Sequence, residues 1–444
     1  MTNVTDRRHF VKQSITTAAS VAVVSQTARA AQAAPNDRVS LGVIGYGGRS
    51  RGLVKEFLNQ PDAELVAVAD VDMQRAASAA ERIADDGRRP AVYQDFRRVI
   101  DDPAIDAVII GTPDHWHAIP TILACLADKD VYVEKPDGHN MLEGQRMVQA
   151  LRKHDRVVQL GTQARTNPHM LRAMEFISTG KLGRVLVAKA WESARQGSIG
   201  RPADSTPPKS VNYDMWLGPA PVKPFNQRRF HGSWRWFFDY GTGDLGNDGV
   251  HRIDVARWAL ATAVAAETGQ DMTALPRTIS AIGGKWYFDD IQDWPDTLQV
   301  NYEYGVPDAP GRILTYEMRI WTPYPYMGEA EGVALFGDQG YIVLGNRRWH
   351  AHAPDGEVIA KGAGGNAGAE HVRDFLDCMR TRNRPAADLE SVGHPSSVMC
   401  HAGNVAWRTG KQLAIDPQTE EFDNTEANEW RGRDYRAPWV LPTV

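Results

Sequence analysis

The chain is poor in cysteine, in net charge and in long apolar runs, and each scarcity excludes something. Of its 444 residues only three are cysteine, Cys125, Cys378 and Cys400. Each lies in a helix-like apolar stretch (TILACLAD, DFLDCMR, SVMCHAGN). An odd number at wide spacing excludes a disulfide framework and a thiolate zinc site, and predicts buried small hydrophobes. The 50 Lys+Arg against 55 Asp+Glu leave a formal net charge of -5. With no basic surplus to neutralise phosphates, nucleic acid is excluded as a partner. No segment approaches the roughly 18 consecutive apolar residues of a membrane span, so the mature chain is expected to carry no membrane anchor. Internal repeats are absent.

What is present is ordinary for a folded protein: 42% hydrophobic and 24% charged residues. At roughly 100–200 residues per domain, the length accommodates two or three domains. The first 33 residues stand apart. Asp6-Arg7-Arg8-His9-Phe10-Val11-Lys12 resembles a twin-arginine export signal. A weakly hydrophobic stretch, Ser14 to Thr27, follows, and then Ala28-Arg29-Ala30 and Ala31-Gln32-Ala33, both acceptable to a signal peptidase. Residues 1–33 are read as a removable leader, which predicts a periplasmic or otherwise exported protein and the twin-arginine machinery as a partner.

From Val39 the texture is regular. VSLGVIG (39–45), ELVAVAD (64–70), IDAVIIG (105–111) and DVYVEKP (130–136) are short apolar runs separated by helix-length stretches such as 73–86 and 118–130. Continuous apolar strands alternating with helices predict a doubly wound parallel α/β sheet over 38–160. After about residue 160 the strands lengthen, alternate and fill with aromatics: 183–193, 278–288, 296–305, 312–321 and 332–344. They predict a second α/β domain over 161–444, built on a large, mostly antiparallel open sheet with helices near 370–382 and 394–410 and a polar tail. Residues 196–230, dense in proline and glycine, read as a functional lid or arm.

Gly45-Tyr46-Gly47-Gly48-Arg49-Ser50 closes the first strand and opens a helix. The first glycine suits a tight turn, the next let the backbone approach a pyrophosphate at a helix N-terminus, and Ser50 is small enough for close helix packing. Asp70 ends the second strand, where it would bind the adenine ribose and repel a 2′-phosphate. That favours NAD over NADP, with Arg49 and Arg51 as counterarguments.

Three further pieces accompany this turn: Gly111-Thr112-Pro113-Asp114-His115-Trp116-His117, Glu134-Lys135-Pro136, and the run Gly243 to Asp254, GDLGNDGVHRID. Together they resemble the Gfo/Idh/MocA oxidoreductase family over essentially the whole mature chain. The resemblance implies a Rossmann domain followed by an α/β domain whose open sheet makes a homo-oligomer contact. It also implies hydride exchange with a nicotinamide at a hydroxyl-bearing carbon of a sugar, cyclitol or glycoside. Thr112, Pro113, His117, Glu134, Lys135 and Gln163 then fall beside the cofactor, and Arg165 beside the substrate.

The chemistry of the residues points the same way. A histidine titrating near neutrality can take the hydroxyl proton, and an ammonium stabilises the developing alkoxide. His251 and Lys135 are the expected pair, with Asn247 where the family usually has aspartate. Asparagine can position a hydroxyl but cannot exchange a proton. In a helix Asp248 would point about 100° from Asn247, while Asp254 would share a face with His251 and could orient its ring; Asp248, His251 and Asp254 are all candidates for binding the substrate. His115 and His117 lack a carboxylate or cysteine at metal-completing spacing, so no metal is expected. Trp234, Arg235, Trp236 and Asp239, with Tyr213 in the lid, are candidates for binding a pyranose.

Three functions remain open: an oxidoreductase acting on a sugar or glycoside hydroxyl, an NAD-dependent glycoside hydrolase working by oxidation, elimination, addition and reduction, and a sugar-binding protein with a vestigial cofactor site. The leader bears on the choice. Twin-arginine export carries folded proteins away from the nicotinamide pool, which predicts a tightly held NAD and a reaction cycle that closes on itself.

Overall fold

The computed structural model describes residues 38–84, 89–306 and 309–444; the twin-arginine segment lies outside them. Six short strands build the first sheet, in the order β3-β2-β1-β4-β5-β6, all parallel. Along the chain they run β1 (Val39–Ile44), α1 (Gly48–Leu58), β2 (Ala63–Ala69), α2 (Met73–Ile83), β3 (Ala91–Tyr93), α3 (Arg97–Ile100), β4 (Ala107–Ile110), α4 (Ala118–Leu126), β5 (Asp130–Val133), α5 (Met141–His154) and β6 (Val158–Leu160). Strands β4 and β5 are buried at every position, as expected of a sheet covered on both faces. Local chemistry places the helix ends. Asp72 accepts from Gln74 N to cap α2, Asn140 accepts from Glu143 N to cap α5, and Asp155 ends α5 in a left-handed conformation.

The helix α6 (Pro168–Ser178) leads into β7 (Val185–Glu192), which lies in a nine-stranded sheet. After α7 (Tyr213–Leu217) and α8 (Val250–Thr268), the chain adds β8 (Thr278–Gly284), β9 (Thr297–Val306), β10 (Ala309–Arg319), β11 (Glu331–Gly337), β12 (Gly340–Gly345), β13 (Arg348–His352) and β14 (Val358–Ala363). The order is β14-β13-β12-β11-β7-β10-β9-β8-β15, with β15 (Leu413–Ala414) at one edge. The sheet is antiparallel except where β7 and β10 pair in parallel. Periodicity alone could not show this, because β7 enters the sheet by a crossover of more than a hundred residues. Residues 332–344, read from the sequence as one strand, form the hairpin β11–β12. One face of the sheet is covered by α8 and α10 (His394–Thr409). The other keeps a small aromatic cluster, in which Phe336 and Tyr341 pack around Trp191, and leaves Ile313 and Leu186 exposed. No helix among the described residues is long and apolar enough to cross a membrane.

The C-terminal quarter does not stay with the second sheet. Helix α9 (Gly368–Thr381) returns to the first and buries Val372, Phe375 and Leu376 beside Phe57 and Tyr132. Phe375 meets Phe57 edge-on at 6.1 Å. The tail, polar by composition, sends Trp439 against Trp116 at 4.7 Å, and the short α11 (Thr425–Glu429) precedes it. The three cysteines are buried and free.

A charged cluster ties these returning segments to the end of β5. His394, opening α10, places Nδ1 2.5 Å from Asp137 Oδ2 and Nε2 2.9 Å from Glu420 Oε1. Gly144 on α5 makes room, since a Cβ there would lie 2.3 Å from both the Asp137 carboxylate and the His394 ring. Burial disfavours both charges, yet mutual attraction wins: Asp137 is brought down to about 2 and His394 up to about 10. The histidine's contribution is complete below its ordinary value of 6.5 and is lost as pH rises through about 10. The aspartate's is complete above 3.8 and is lost as pH falls through about 2. Urea titrations should therefore give a stability that declines above pH 6.5. His394→Leu should lower it by about 3–5 kcal/mol, because a buried carboxylate loses its partner, and flatten the alkaline decline. A variant as stable as the parent with the same pH profile would contradict this account.

Candidate active site

A cavity of about 490 Å³ opens at the C-terminal edge of the parallel sheet, where doubly wound folds bind ligands. Gly45, at φ +82, makes the turn after β1; a Cβ there would lie 2.9 Å from Thr112 Cγ2, so only glycine fits. Around Gly48 a Cβ would meet nothing within 4 Å, which leaves the backbone open to a ligand. Helix α1 starts here with no side-chain cap and no acid in its first turn, so its free N–H groups are available to an anion. Ser50 faces inward instead of lining the cavity: its Oγ donates to Gly111 O at 3.3 Å. Asp70 stands at the end of β2 with its carboxylate oxygens accepting from Tyr46 N and Asp72 N, both at 2.9 Å. An uncapped helix N-terminus, an open glycine cradle and a pinned carboxylate one strand away fit a dinucleotide's pyrophosphate and adenine ribose.

At the other end of the cavity stand Glu134, Lys135, Gln163, Asn247, Asp248 and His251, with Thr112, Pro113 and His117 along the wall between. Arg49, considered above as a phosphate ligand, is bound to Glu134, Nε to Oε1 at 2.8 Å. His117 sets its ring nitrogens 2.6 Å from Pro136 O and 3.0 Å from Thr112 O, bracing the Lys135 loop against the preceding strand. Gln163 donates to Tyr132 OH at 3.0 Å. The Lys135 ammonium crosses to the second unit and donates to Asn247 O at 2.6 Å and Asn247 Oδ1 at 3.2 Å. Burial, with the Lys135 charge nearby, holds the His251 pKa well below its ordinary value. Its imidazole is therefore neutral at neutral pH and free to accept a proton.

Residues 245–249 form a single π-turn before α8. From this turn both Asn247 and Asp248 line the cavity wall. Behind it lies an acid pair the sequence did not single out. Asp244 and Glu192 are each 1% exposed. Burial, then Asp248, pushes Asp244 up to about 8; burial, then Asp244, pushes Glu192 up to about 9.

Several expected substrate residues lie elsewhere. Asp254 does not orient His251: Arg165 grips its carboxylate from Nε and Nη2 at 2.8 and 2.7 Å, and Ser396 Oγ donates at 2.8 Å. This withdraws both Asp254 and Arg165 from the cavity. Trp236 is core, 3% exposed. Asp239 is paired with Lys223, and Tyr213 stacks on Trp216 while its hydroxyl donates to Pro224 O. Trp234 and Arg235 do line the cavity. His115 is fully enclosed between Tyr240 O and Trp216 O, with burial bringing it down to about 3. Among the described residues no group of three or more His, Cys, Asp or Glu is placed to hold a metal.

The roof comes from the proline-rich arm. It returns to the end of β2, where Asn212 N donates to Val71 O at 2.9 Å, Met73 N to Ser210 O at 3.0 Å, and His231 Nε2 meets Asp72 Oδ2 at 3.1 Å. Trp116 Nε1 donates to the Met215 and Trp216 carbonyls at 3.1 Å. Met215, Trp216 and His231 are thereby set over the chamber. The composition of the arm marked it as functional, but nothing in it told where it would land.

Comparison with known proteins agrees with this geometry. Residues 39–162 match the Gfo/Idh/MocA profile described as an oxidoreductase family, NAD-binding Rossmann fold, and residues 187–287 and 350–441 match the same family's C-terminal alpha/beta domain. Inositol 2-dehydrogenase of Rubrobacter xylanophilus is 33% identical over 160 residues, 35% of this chain and 44% of that protein. Glycosyl hydrolase family 109 protein 2 of Shewanella sp. ANA-3 is 32% identical over 152 residues, 30% of this chain and 33% of that protein. The chain thus spans less than half the length of the curated relatives it matches. The solved structure of levoglucosan dehydrogenase in complex with NADH and L-sorbose superposes with a TM-score of 0.65 at 17% identity, covering 86% of this chain and 99% of that one. The chain belongs to the Gfo/Idh/MocA oxidoreductase family, its first unit being that family's NAD-binding Rossmann fold.

Proposed function

We propose that the protein oxidises, and in the reverse direction restores, a hydroxyl of a sugar, cyclitol or glycoside, using an NAD that stays bound between turnovers. The observation that carries this reading is one chamber whose two ends are a dinucleotide cradle and the Lys135–Asn247–His251 group. Bound NAD supplies the hydride acceptor. The chain's own part is to handle the proton and the charge. Neutral His251 accepts the hydroxyl proton. Lys135, aimed by Asn247, stabilises the oxygen as it becomes negative. Asn247 contributes orientation alone, so the proton route does not pass through it. Trp234 and Arg235 offer an apolar ring face and a charged hydrogen bonder to a pyranose.

Retention of the cofactor is supported by the arm that roofs the adenosine end and by its hydrogen bonds to β2 and α2. It suits the exported location proposed from the twin-arginine-like leader, where no nicotinamide pool exists. The open face of the large sheet, with Ile313 45% exposed, is proposed as the contact of a homo-oligomer. A second reading, an NAD-dependent glycosidase, is favoured by the similarity to a glycosyl hydrolase family 109 protein. Transient oxidation would acidify the neighbouring C–H, the aglycone would leave, water would add, and the ketone would be reduced again.

Lys135→Met should cut turnover by about 10²–10³-fold, the loss typical of one oxyanion donor, while the protein still carries its cofactor. An unimpaired variant would sink the assignment. A nitrophenyl glycoside panel without added nucleotide separates the two readings: aglycone release with no net reduction of NAD selects the hydrolase, and ketosugar or lactone formation with a second carbonyl acceptor selects the oxidoreductase. If neither occurs and Lys135→Met alters only sugar binding, both enzymatic readings fail and a sugar-binding protein remains.

A further inference from the structure

Asp244 and Glu192 lie in the layer between the large sheet and the π-turn. Asp244 is the residue on which that turn opens, yet its side chain caps none of the turn's N–H groups. Glu192 ends β7, opposite Glu331 of β11, and its Oε1 accepts from Ala194 N at 2.8 Å. Glu331 is itself held by Arg252 and Asn346, at 2.7 and 2.6 Å. Neither Asp244 oxygen has a hydrogen-bond partner of standard geometry, and neither has Glu192 Oε2 or the enclosed Tyr316 hydroxyl of β10. Leucine at 244 would avoid the cost of burying those two oxygens, so an acid there points to a use.

Asn247 supplies that use. Its backbone and amide oxygens both face the Lys135 ammonium. With Oδ1 turned to Lys135 the amide nitrogen is turned away, and a half-turn of the amide would set its N–H groups against the ammonium. The Asn247 side chain, whose only donor is Nδ2, acts on the Asp244 carboxyl. The contact is longer or more bent than a standard hydrogen bond, as catalytic contacts often are before substrate binds. Asp248, Glu192 and Tyr316 surround the Asp244 carboxyl, with the Arg235 and Lys135 charges opposing them. Burial first, then the Asp248 charge, favours the protonated form of Asp244. A neutral carboxyl still accepts from Nδ2, and it leaves the Lys135 charge free for the substrate oxygen.

We propose that Asp244 is a positioning residue for the reaction, its carboxyl holding the Asn247 amide nitrogen so that the amide oxygen faces Lys135. The inference rests on the reading of Lys135 as the group that stabilises the substrate oxygen. Asp244 does not line the chamber. It sets which end of one amide the ammonium meets, and Glu192 beside it opposes a second charge in the pair.

Steady-state kinetics of the NAD-loaded protein, on a sugar or cyclitol that the parent oxidises, test the role. Asp244→Leu should retain NAD and lower kcat at least about tenfold with KM within about threefold, the split left by losing an interaction made only in the transition state. Should that variant not hold NAD, Asp244→Ala removes the same acceptor. Asp244→Asn keeps a carbonyl oxygen for Nδ2 and should recover kcat to within about threefold of the parent. With Asn247→Ala already in place, Asp244→Leu should cost less than about twofold more, because the amide it positions is gone. A parent-like Asp244→Leu, an Asp244→Asn as slow as the leucine variant, or the full loss repeated on Asn247→Ala overturns the positioning role and leaves the proposed function standing. Loss of NAD from both the leucine and alanine variants marks a structural role and overturns it equally. A parent that oxidises no member of a sugar and cyclitol panel overturns the proposed function, and this inference with it.

Discussion

One ammonium joins the two halves of this molecule. Lys135 leaves the end of β5 in the first unit and donates to Asn247 in the π-turn of the second, more than a hundred residues later, at 2.6 Å to the carbonyl and 3.2 Å to the amide oxygen. The bond fixes where a reacting carbon can sit, since the wall of the chamber is complete only when these two segments meet. Much of the surrounding structure holds them there. His117 braces the lysine loop, the Asp137–His394–Glu420 cluster anchors its exit, and Arg165 holds α8 through Asp254. The Asp254 carboxylate is thus a strut one turn beyond the site and not a partner of His251.

The same logic explains the arm and the returning C-terminus. A Rossmann sheet binds its ligand in a crevice outside the carboxyl ends of its strands. Here the crevice is roofed by residues that belong to the second unit in sequence but hydrogen-bond to β2 and α2 of the first. Trp116, buried in contact with Trp439, donates to the arm at Met215 and Trp216, so tail and arm are packed on one ring. A chamber closed in this way suits a cofactor reset in place.

Much of this was legible before any coordinates. Apolar runs ending in glycine, the Glu134-Lys135-Pro136 tripeptide and the GDLGNDGVH segment locate both ends of the chamber, because backbone requirements and reacting groups are written in residue type. What stayed hidden depends on distant partners. Arg49 and Glu134 each suit a ligand until they are found bound to each other, and Asp254 suits His251 until Arg165 takes it. The parallel pairing of β7 with β10 and the return of α9 to the first sheet are long-range events with no local signature. Asp248, a candidate for the substrate, does reach the wall, because an offset of about 100° from Asn247 does not by itself turn a side chain out of a wide chamber.

The central claim is that hydride and proton are exchanged inside this chamber on a dinucleotide that does not leave it. Rapid mixing of the holoprotein with a panel of sugars and cyclitols, in the absence of added nucleotide, tests it most directly through the near-ultraviolet absorbance of reduced nicotinamide. The account predicts, for the right substrate, a single burst equal to the bound cofactor, reversed when a carbonyl acceptor is added. No burst from a protein shown to carry NAD, or a signal that keeps growing in proportion to free NAD supplied, would contradict it.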